Sequence, residues 1–178
     1  MRFKFALAAL AATAVFASPA QAQLVSATTE ARGTILQPLT LTQMEDLDFG
    51  TVLSSAVAGT VSIDADTGGR TVTGGVTAIV LDVGQRAEFA GVGTLGQLVE
   101  ITLVPPPGNV LNRVGGGATI TVNQWDLDGG AAFDTFQTRT ITDPDGAFLV
   151  GVGAEFNVAA NQMNGLYTAN FDVTAEYQ

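Results

Sequence analysis

Three acidic turns contain the side chains of this sequence that could carry metal or acid–base chemistry. They read Asp64-x-Asp66-x-x-Gly69, Asp126-x-Asp128-Gly129 and Asp143-Pro144-Asp145-Gly146. Calcium takes six or more oxygen ligands from a loop, and none of these turns continues into a twelve-residue pattern that ends in glutamate. Aspartate and glycine are also the residues that tight turns require. We therefore interpret all three segments as turns and predict no metal site.

The rest of the sequence offers few side chains for catalysis. The paired carboxylates Asp126 and Asp128 could serve a glycosidase, but closeness in sequence does not set the spacing that two catalytic carboxyl groups need. The sequence has no histidine and no cysteine, and its one lysine is Lys4. The usual nucleophile–base pairs and the common zinc ligands are therefore missing. We predict that the protein is not an enzyme and uses no cofactor.

The first 22 residues have the three-part order of an export signal. Arg2 and Lys4 form a basic start, residues 5–17 an apolar stretch, and Ala20-Gln21-Ala22 a small-x-small cleavage site. Cleavage there would leave a mature chain that begins at Gln23, with five arginines against seventeen acids and a net charge of −12. That charge argues against nucleic acid or an anionic membrane surface as a partner. We expect an exported protein, first periplasmic and then at the cell surface.

Nearly every segment of the mature chain has the pattern of a strand followed by a turn. A hairpin is predicted with its turn near Asp66–Gly69 and its second strand from Thr71 to Leu81, and residues 148–158 alternate cleanly. No stretch shows a helical period over three turns, and Trp125 is expected in the core, with a sugar platform as the alternative. We predict one all-β domain, an antiparallel β-sandwich. An eight-stranded outer-membrane barrel is the second architecture that fits.

Both ends of the mature chain alternate between small or apolar residues and polar ones. The C-terminal stretch is predicted to be a half-buried strand, yet no further strand follows to pair with its open side. Its apolar face comprises Tyr167, Ala169, Phe171, Val173, Ala175 and Tyr177. Residues 23–36 are predicted to form an N-terminal extension whose narrow face could enter a groove between two sheets, and Gln37-Pro38 separates it from the domain at 37–178. That narrow face comprises Ala27, Thr29, Ala31, Gly33 and Ile35.

Short motifs give the chain a family resemblance. They are Leu47-Asp48-Phe49-Gly50, the stretch from Gly151 to Val158, and the closing Gly165-x-Tyr167. With these motifs the chain resembles an uncharacterised bacterial family of secreted domains, which in turn is similar to spore-coat-protein-U-like domains and to the pilus subunits of chaperone–usher systems. Those pilus subunits carry a penultimate aromatic residue and a glycine near the fourteenth position from the end, the positions of Tyr177 and Gly165 here.

The resemblance implies an immunoglobulin-like sandwich that lacks its final strand, and a fibre in which the extension of the next subunit fills the gap. It implies that the donor residues are Ala27, Thr29, Ala31, Gly33 and Ile35. It further implies that the receiving strand includes Gly165, Tyr167, Phe171, Val173 and Tyr177. The partners would be other copies in head-to-tail order, with a periplasmic chaperone and an outer-membrane usher.

Two other interpretations stay open at the level of the sequence. The N-terminal stretch could fold back and pair with the sheet of its own domain. The protein could also be a monomeric secreted β-sandwich that binds carbohydrate or adheres to a surface.

Overall fold

A computed structural model of the protein describes residues 25–130 and 133–178. The expected export signal, residues 1–22, lies outside this description. The chain divides into two units, Met1–Thr34 and Ile35–Gln178. In the first unit, residues 25–34 form no helix or strand, and the guanidinium of Arg32 makes an ion pair of 2.7 Å with the carboxylate of Glu30. The second unit carries all the regular structure of the described chain.

Strands account for nearly all of that regular structure. The described residues contain no α-helix and a short 3-10 turn at Pro107–Asn109. None of the described residues belongs to a helix that is long and apolar enough to cross a membrane. The strands are β1 (Thr40–Glu45), β2 (Val52–Leu53), β3 (Gly59–Ile63), β4 (Arg70–Val72), β5 (Thr77–Ala78), β6 (Ala87–Val92), β7 (Leu98–Val104), β8 (Val110–Arg113), β9 (Thr119–Leu127), β10 (Phe136–Thr140), β11 (Ala147–Val158), β12 (Tyr167–Thr168) and β13 (Asp172–Tyr177).

These strands build two main antiparallel sheets. In the large sheet the order is β1-β6-β11-β9-β8-β12, and β3 pairs with β11 and with β4. The small sheet has the order β10-β7-β13, and β2 pairs with β5 in a short separate ladder. The prediction of an all-β, antiparallel sandwich-like fold is confirmed.

The long strand β11 organises the large sheet. One of its edges pairs with β6 over residues 147–152 and then with β3 over residues 154–158, while its other edge pairs with β9. A Cβ at Gly153 would lie 2.3 Å from the carbonyl oxygen of Ile63, so only glycine allows this close approach of β3 to β11. The close packing of β3 therefore explains why a glycine, Gly153, occurs in the middle of β11.

The core lies between the inner faces of the two sheets. The small sheet contributes the alternate residues of β7, and the large sheet contributes the inner residues of β6, β9 and β11. Trp125 is only 5% exposed, so the prediction of a core position for it is confirmed and it offers no platform to a sugar. The fully buried side chains of this core include Val61, Val99, Ile101, Leu127, Ile141, Val150 and Val152.

Two predicted strands are interrupted. The stretch from Thr71 to Leu81 is not one strand, because β4 ends at Val72 and the chain turns at Gly74-Gly75 before β5 begins. The C-terminal stretch is divided between two sheets, since β12 pairs with β8 whereas β13 pairs with β7. In both places the alternation of side chains continues across a change of hydrogen-bonding partner, which periodicity alone does not reveal.

Candidate functional site: a half-open seam between two strand edges

An apolar seam runs along the side of the domain where β1 of the large sheet lies near β13 of the small sheet. We define it by six side chains that pack against the core and remain half-exposed: Leu41, Phe89, Phe171, Val173, Ala175 and Tyr177. Their partial exposure differs from the full burial that the inner faces of a completed sandwich reach. The seam is therefore a place where the core meets solvent.

Both strands that border the seam have one unpaired edge. Within the described residues, β1 pairs only with β6, and β13 pairs only with β7. An unpaired edge presents a row of backbone N–H and C=O groups that another strand can bind. The seam thus combines apolar side chains with two free hydrogen-bonding edges.

A comparison within the small sheet shows that the core-facing side chains of β13 are only partly covered. Val99 and Ile101 of β7 are 0% exposed. Val173 and Ala175 belong to the neighbouring strand β13 and face the same core, yet both remain half-exposed. The difference arises because β7 has a strand on each side and β13 has a strand on only one side. A strand added beside β13 would complete the cover.

Aromatic rings form the floor of the seam. The ring of Phe171 lies 6.4 Å from that of Phe89 in an edge-on arrangement and 5.0 Å from that of Trp125, measured between ring centroids. The indole Nε1 of Trp125 is buried, and no group of the described residues accepts its hydrogen. Leaving such a donor unpaired costs about 1–3 kcal/mol. The packing of these rings therefore has to offset the free-energy cost of the unpaired indole N–H at the base of the seam.

Tyr177 closes one end of the seam. Its hydroxyl accepts a hydrogen bond from the backbone N–H of Thr94 (2.8 Å) and donates one to the backbone carbonyl of Gln37 (2.9 Å). The backbone N–H of Gln37 in turn donates to the side-chain hydroxyl of Thr94 (2.7 Å). The penultimate aromatic residue thus fixes the point from which the chain enters β1.

The opposite edge of the small sheet is closed by polar side chains. On β10, the guanidinium of Arg139 donates to the carbonyl oxygens of Leu149 (2.5 Å) and Asp128 (2.8 Å) and pairs with the Asp128 carboxylate (2.9 Å). The buried side chain of Gln137 donates to the carbonyl oxygen of Leu127 (3.2 Å). These bonds tie β10 across to the large sheet, whereas Tyr177 ties the β13 edge to Thr94 and Gln37, which lie just outside β6 and β1.

The receiving residues expected from the sequence fall into two groups. Phe171, Val173 and Tyr177 lie together in the seam. Tyr167 lies on β12 in the large sheet, and its hydroxyl donates to the carbonyl oxygen of Met163 (2.5 Å). Gly165 has φ +146° and lies against the side chain of Arg113, whose Nε would be 2.6 Å from an added Cβ. Gly165 and Tyr167 therefore shape a loop away from the seam.

The expected donor residues divide at the boundary between the two units. Ala27, Thr29, Ala31 and Gly33 belong to the first unit, where each is exposed. Ile35 begins the second unit, and its side chain is 97% exposed. Sequence reasoning missed Leu41 and Phe89 as seam residues, because each lies in a short strand whose burial depends on a distant partner. Their alternation with polar neighbours was the only available signal.

The Leu47-Asp48-Phe49-Gly50 motif supports the fold beside the seam. The backbone of Asp48 exchanges two hydrogen bonds with that of Gln85, and Phe49 packs edge-on against Phe156 at 4.5 Å between centroids. The guanidinium of Arg70 donates to the carbonyl oxygens of Phe49 (3.0 Å), Asp82 (2.6 Å) and Ile79 (2.8 Å). The motif thus continues the β1 side of the large sheet toward β2.

The carboxylates of the acidic turns mostly accept hydrogen bonds from nearby backbone or side chains. Asp64 accepts from the backbone N–H and the hydroxyl of Thr67 (2.7 Å each), and the hydroxyl bond is the main reason that the pKa of Asp64 is lowered. Burial raises the pKa of Asp126, although the N–H of Phe133 donates to it. Within residues 25–130 and 133–178, no three acidic, histidine or cysteine side chains are arranged to hold a metal ion.

Comparison with known proteins gives a family but no activity. Residues 39–177 match a family model described as a domain of unknown function, DUF4402, and the chain belongs to that family. The match covers β1 through the last residue of β13, and therefore both borders of the seam. No curated protein and no solved structure matches the chain.

Proposed function

We propose that this DUF4402 protein is the structural subunit of an extracellular fibre, and that it polymerises when one copy adds a strand to the seam of the next. The observation that supports this proposal is the seam itself, where half-exposed apolar side chains lie between two unpaired strand edges. Strand addition to an exposed edge is an established mode of peptide recognition, with backbone bonds for affinity and side-chain pockets for specificity.

The N-terminal extension is the proposed occupant. Its narrow face of Ala27, Thr29, Ala31, Gly33 and Ile35 alternates with polar residues, as a strand covered on one side requires. The small side chains suit a shallow seam whose floor is already filled by aromatic rings. Each small side chain would contribute on the order of 1 kcal/mol through burial, and each backbone bond about 0.5–1.5 kcal/mol net.

The geometry of such a contact favours a fibre. The donor segment and the seam are different surfaces of the same chain, so the contact is head-to-tail and propagates into a fibre when each copy donates to a new neighbour instead of exchanging segments with one partner. The export signal and the resemblance to chaperone–usher pilus subunits support assembly at the cell surface. The same resemblance supports a periplasmic chaperone, which would cover the seam before polymerisation, and an outer-membrane usher as further partners.

A peptide of residues 23–36 provides the direct test. We expect it to raise the melting temperature of the mature protein (residues 23–178), with the rise increasing with peptide concentration, because a ligand of the folded state stabilises it by mass action. A peptide of the same composition in scrambled order is the control. The peptide and its control are compared by thermal unfolding at matched concentrations.

Two variants of the extension distinguish strand insertion from nonspecific association. Ala31→Glu places a carboxylate on the narrow face, and Thr34→Glu places the same group on the polar face. We expect Ala31→Glu to abolish fibres in electron micrographs of concentrated protein, and Thr34→Glu to leave them unchanged. Fibres in both variants, or no fibres and no effect of the peptide in the parent protein, would disprove the proposal.

A further inference from the structure

A second recess lies at the end of the domain where β9 and β11 separate. The two strands pair as far as Val122 and Phe156. Beyond that point β11 stays paired with β3, while Thr119 and Thr121 of β9 pair with β8. The separation opens a cleft of about 510 Å³ that is lined by Ala58, Gly59, Thr60, Thr119, Ile120, Thr121, Asn157, Val158, Ala159 and Gln162.

The lining combines an apolar floor with a neutral polar rim. The apolar surface of the cleft comes from the exposed side chains of Ala58 and Ala159, which lie beside the buried Ile120 and Val158. The rim carries hydroxyl and amide side chains from Thr60, Thr119, Thr121, Asn157 and Gln162. No side chain of the lining is ionisable, although the whole sequence contains seventeen acidic residues. A cleft of this character suits an uncharged ligand that has both hydroxyl groups and an apolar face.

Hydrogen bonds outside the cleft hold its rim in place. A β-bulge leaves Asn123 without a partner across the β9–β11 pair, and its side-chain amide exchanges two bonds with that of Asn157 (2.9 and 2.6 Å). Bulges are frequent beside binding sites because they redirect a side chain. The Nε2 of Gln162 donates to the hydroxyl of Tyr167 (2.9 Å) and to the backbone carbonyl of Thr119 (3.3 Å), and these two bonds fix the Gln162 side chain at the rim.

We propose that this cleft binds a neutral carbohydrate, whose apolar C–H face rests against Ala58 and Ala159 and whose hydroxyl groups bond to the threonine and amide side chains of the rim. The ring of a sugar offers an apolar C–H face beside several hydroxyl groups, which is the combination that the lining matches. The site is separate from the seam and needs no second copy of the chain. A fibre subunit with such a cleft would carry many copies of a weak binding site along the fibre.

The test is a titration of the isotope-labelled mature protein, followed by amide NMR shifts. The probes are glucose, galactose, mannose, N-acetylglucosamine and cellobiose, with N-acetylneuraminic acid as an acidic sugar and glycerol as a simple polyol. We expect at least one neutral sugar to cause saturable shifts at residues 119–121 and 157–159. Glycerol and the acidic sugar should cause smaller shifts at the same concentration.

Two matched variants identify the cleft as the site. Thr121→Val removes one rim hydroxyl at constant shape and should weaken the binding by about two- to tenfold, as expected for one lost hydrogen bond. Thr138→Val makes the same change on the exposed face of β10 and should leave the affinity unchanged. The inference is overturned if no neutral sugar gives saturable shifts at the cleft, if glycerol or the acidic sugar binds equally well, or if both variants titrate alike.

Discussion

The two edges of the small sheet are closed in different ways. At the β10 edge, Arg139 and Gln137 bind carbonyl oxygens of the large sheet, and the neighbouring side chain of Ile141 is buried. At the β13 edge, Val173 and Ala175 remain half-exposed, and one tyrosine hydroxyl makes the tie to the segment that precedes β1. Both edges border the same core through the same central strand, β7.

The difference between the edges has a physical reason. Inward-pointing polar or charged side chains on an edge strand discourage pairing with another chain. On β10 such side chains also satisfy backbone groups of the large sheet, so that edge resists further pairing. On β13 the inward positions are Val173, Ala175 and Tyr177, and only the hydroxyl of Tyr177 is polar. The β13 edge therefore keeps the features that strand addition needs.

The largest expected effect comes from opening the closed edge with Arg139→Ala. This change removes three hydrogen bonds and leaves the carboxylate of Asp128 without its cation in a mostly buried position. We expect the free energy of unfolding, measured in urea, to fall by about 2–3 kcal/mol. Arg32→Ala is the matched control, since its ion pair with Glu30 is exposed to solvent and its loss should leave the free energy of unfolding unchanged. Equal losses in the two variants would show that Arg139 does not close this edge.

A smaller effect is expected when the end of the open seam is released by Tyr177→Phe. The variant loses the hydroxyl that joins Thr94 to Gln37, at a cost of about 1 kcal/mol. Hydrogen exchange at the amide of Thr94 should become faster. Tyr167→Phe, which removes a bonded hydroxyl at a position outside the seam, should cost a similar amount of stability without changing exchange at Thr94. Unchanged exchange in Tyr177→Phe would contradict the role assigned to this hydroxyl.

The smallest effect concerns the loop that leads from β9 to the closed edge. Because burial raises the pKa of Asp126, its ionised form destabilises the fold at neutral pH, and this penalty disappears as the pH falls and the carboxyl becomes protonated. Asp126→Asn keeps an oxygen acceptor for the N–H of Phe133 and removes the charge. We expect it to raise the melting temperature slightly at pH 7.

The sign of this effect can be checked against Asp64. The pKa of Asp64 is lowered, so its contribution to stability is present above the ordinary carboxyl pKa of about 3.9 and is lost as the pH falls through the folded value. Asp64→Asn should therefore lower the melting temperature at pH 7. The difference between Asp126→Asn and the parent protein should disappear below the ordinary carboxyl pKa, whereas that of Asp64→Asn should disappear only at still lower pH, below the lowered pKa of Asp64. Equal shifts at pH 7 and at low pH would refute the assignment for either residue.

The sequence predicts the fold class well and the seam in part. Alternation from Tyr167 onward identified Phe171, Val173 and Tyr177. A strand with one apolar face has a period of two in its sequence whether that face is fully or only partly covered. It could not separate these from Tyr167, whose partner strand is β8 rather than β7. Which sheet a strand joins depends on distant residues, and a single sequence contains no direct record of that choice.

The β9–β11 cleft was outside the reach of sequence reasoning for the same reason. Thr119 and Thr121 look like ordinary exposed strand residues, and Asn157 looks like the polar member of an alternating pair. They line one cleft because a bulge and a change of pairing partner separate β9 from β11 and open a space between the two strands. The acidic turns are recognisable in the sequence from their composition, whereas the cleft depends on topology.

The twelve residues of β11 also have a kinetic consequence. This strand cannot complete its hydrogen bonds until segments 59–63, 87–92 and 122–127 have all come to it from distant parts of the chain. Such non-local topology is typical of proteins that fold in milliseconds to seconds rather than microseconds. Because synthesis proceeds from the N-terminus, the large sheet cannot close before about residue 158 has left the ribosome.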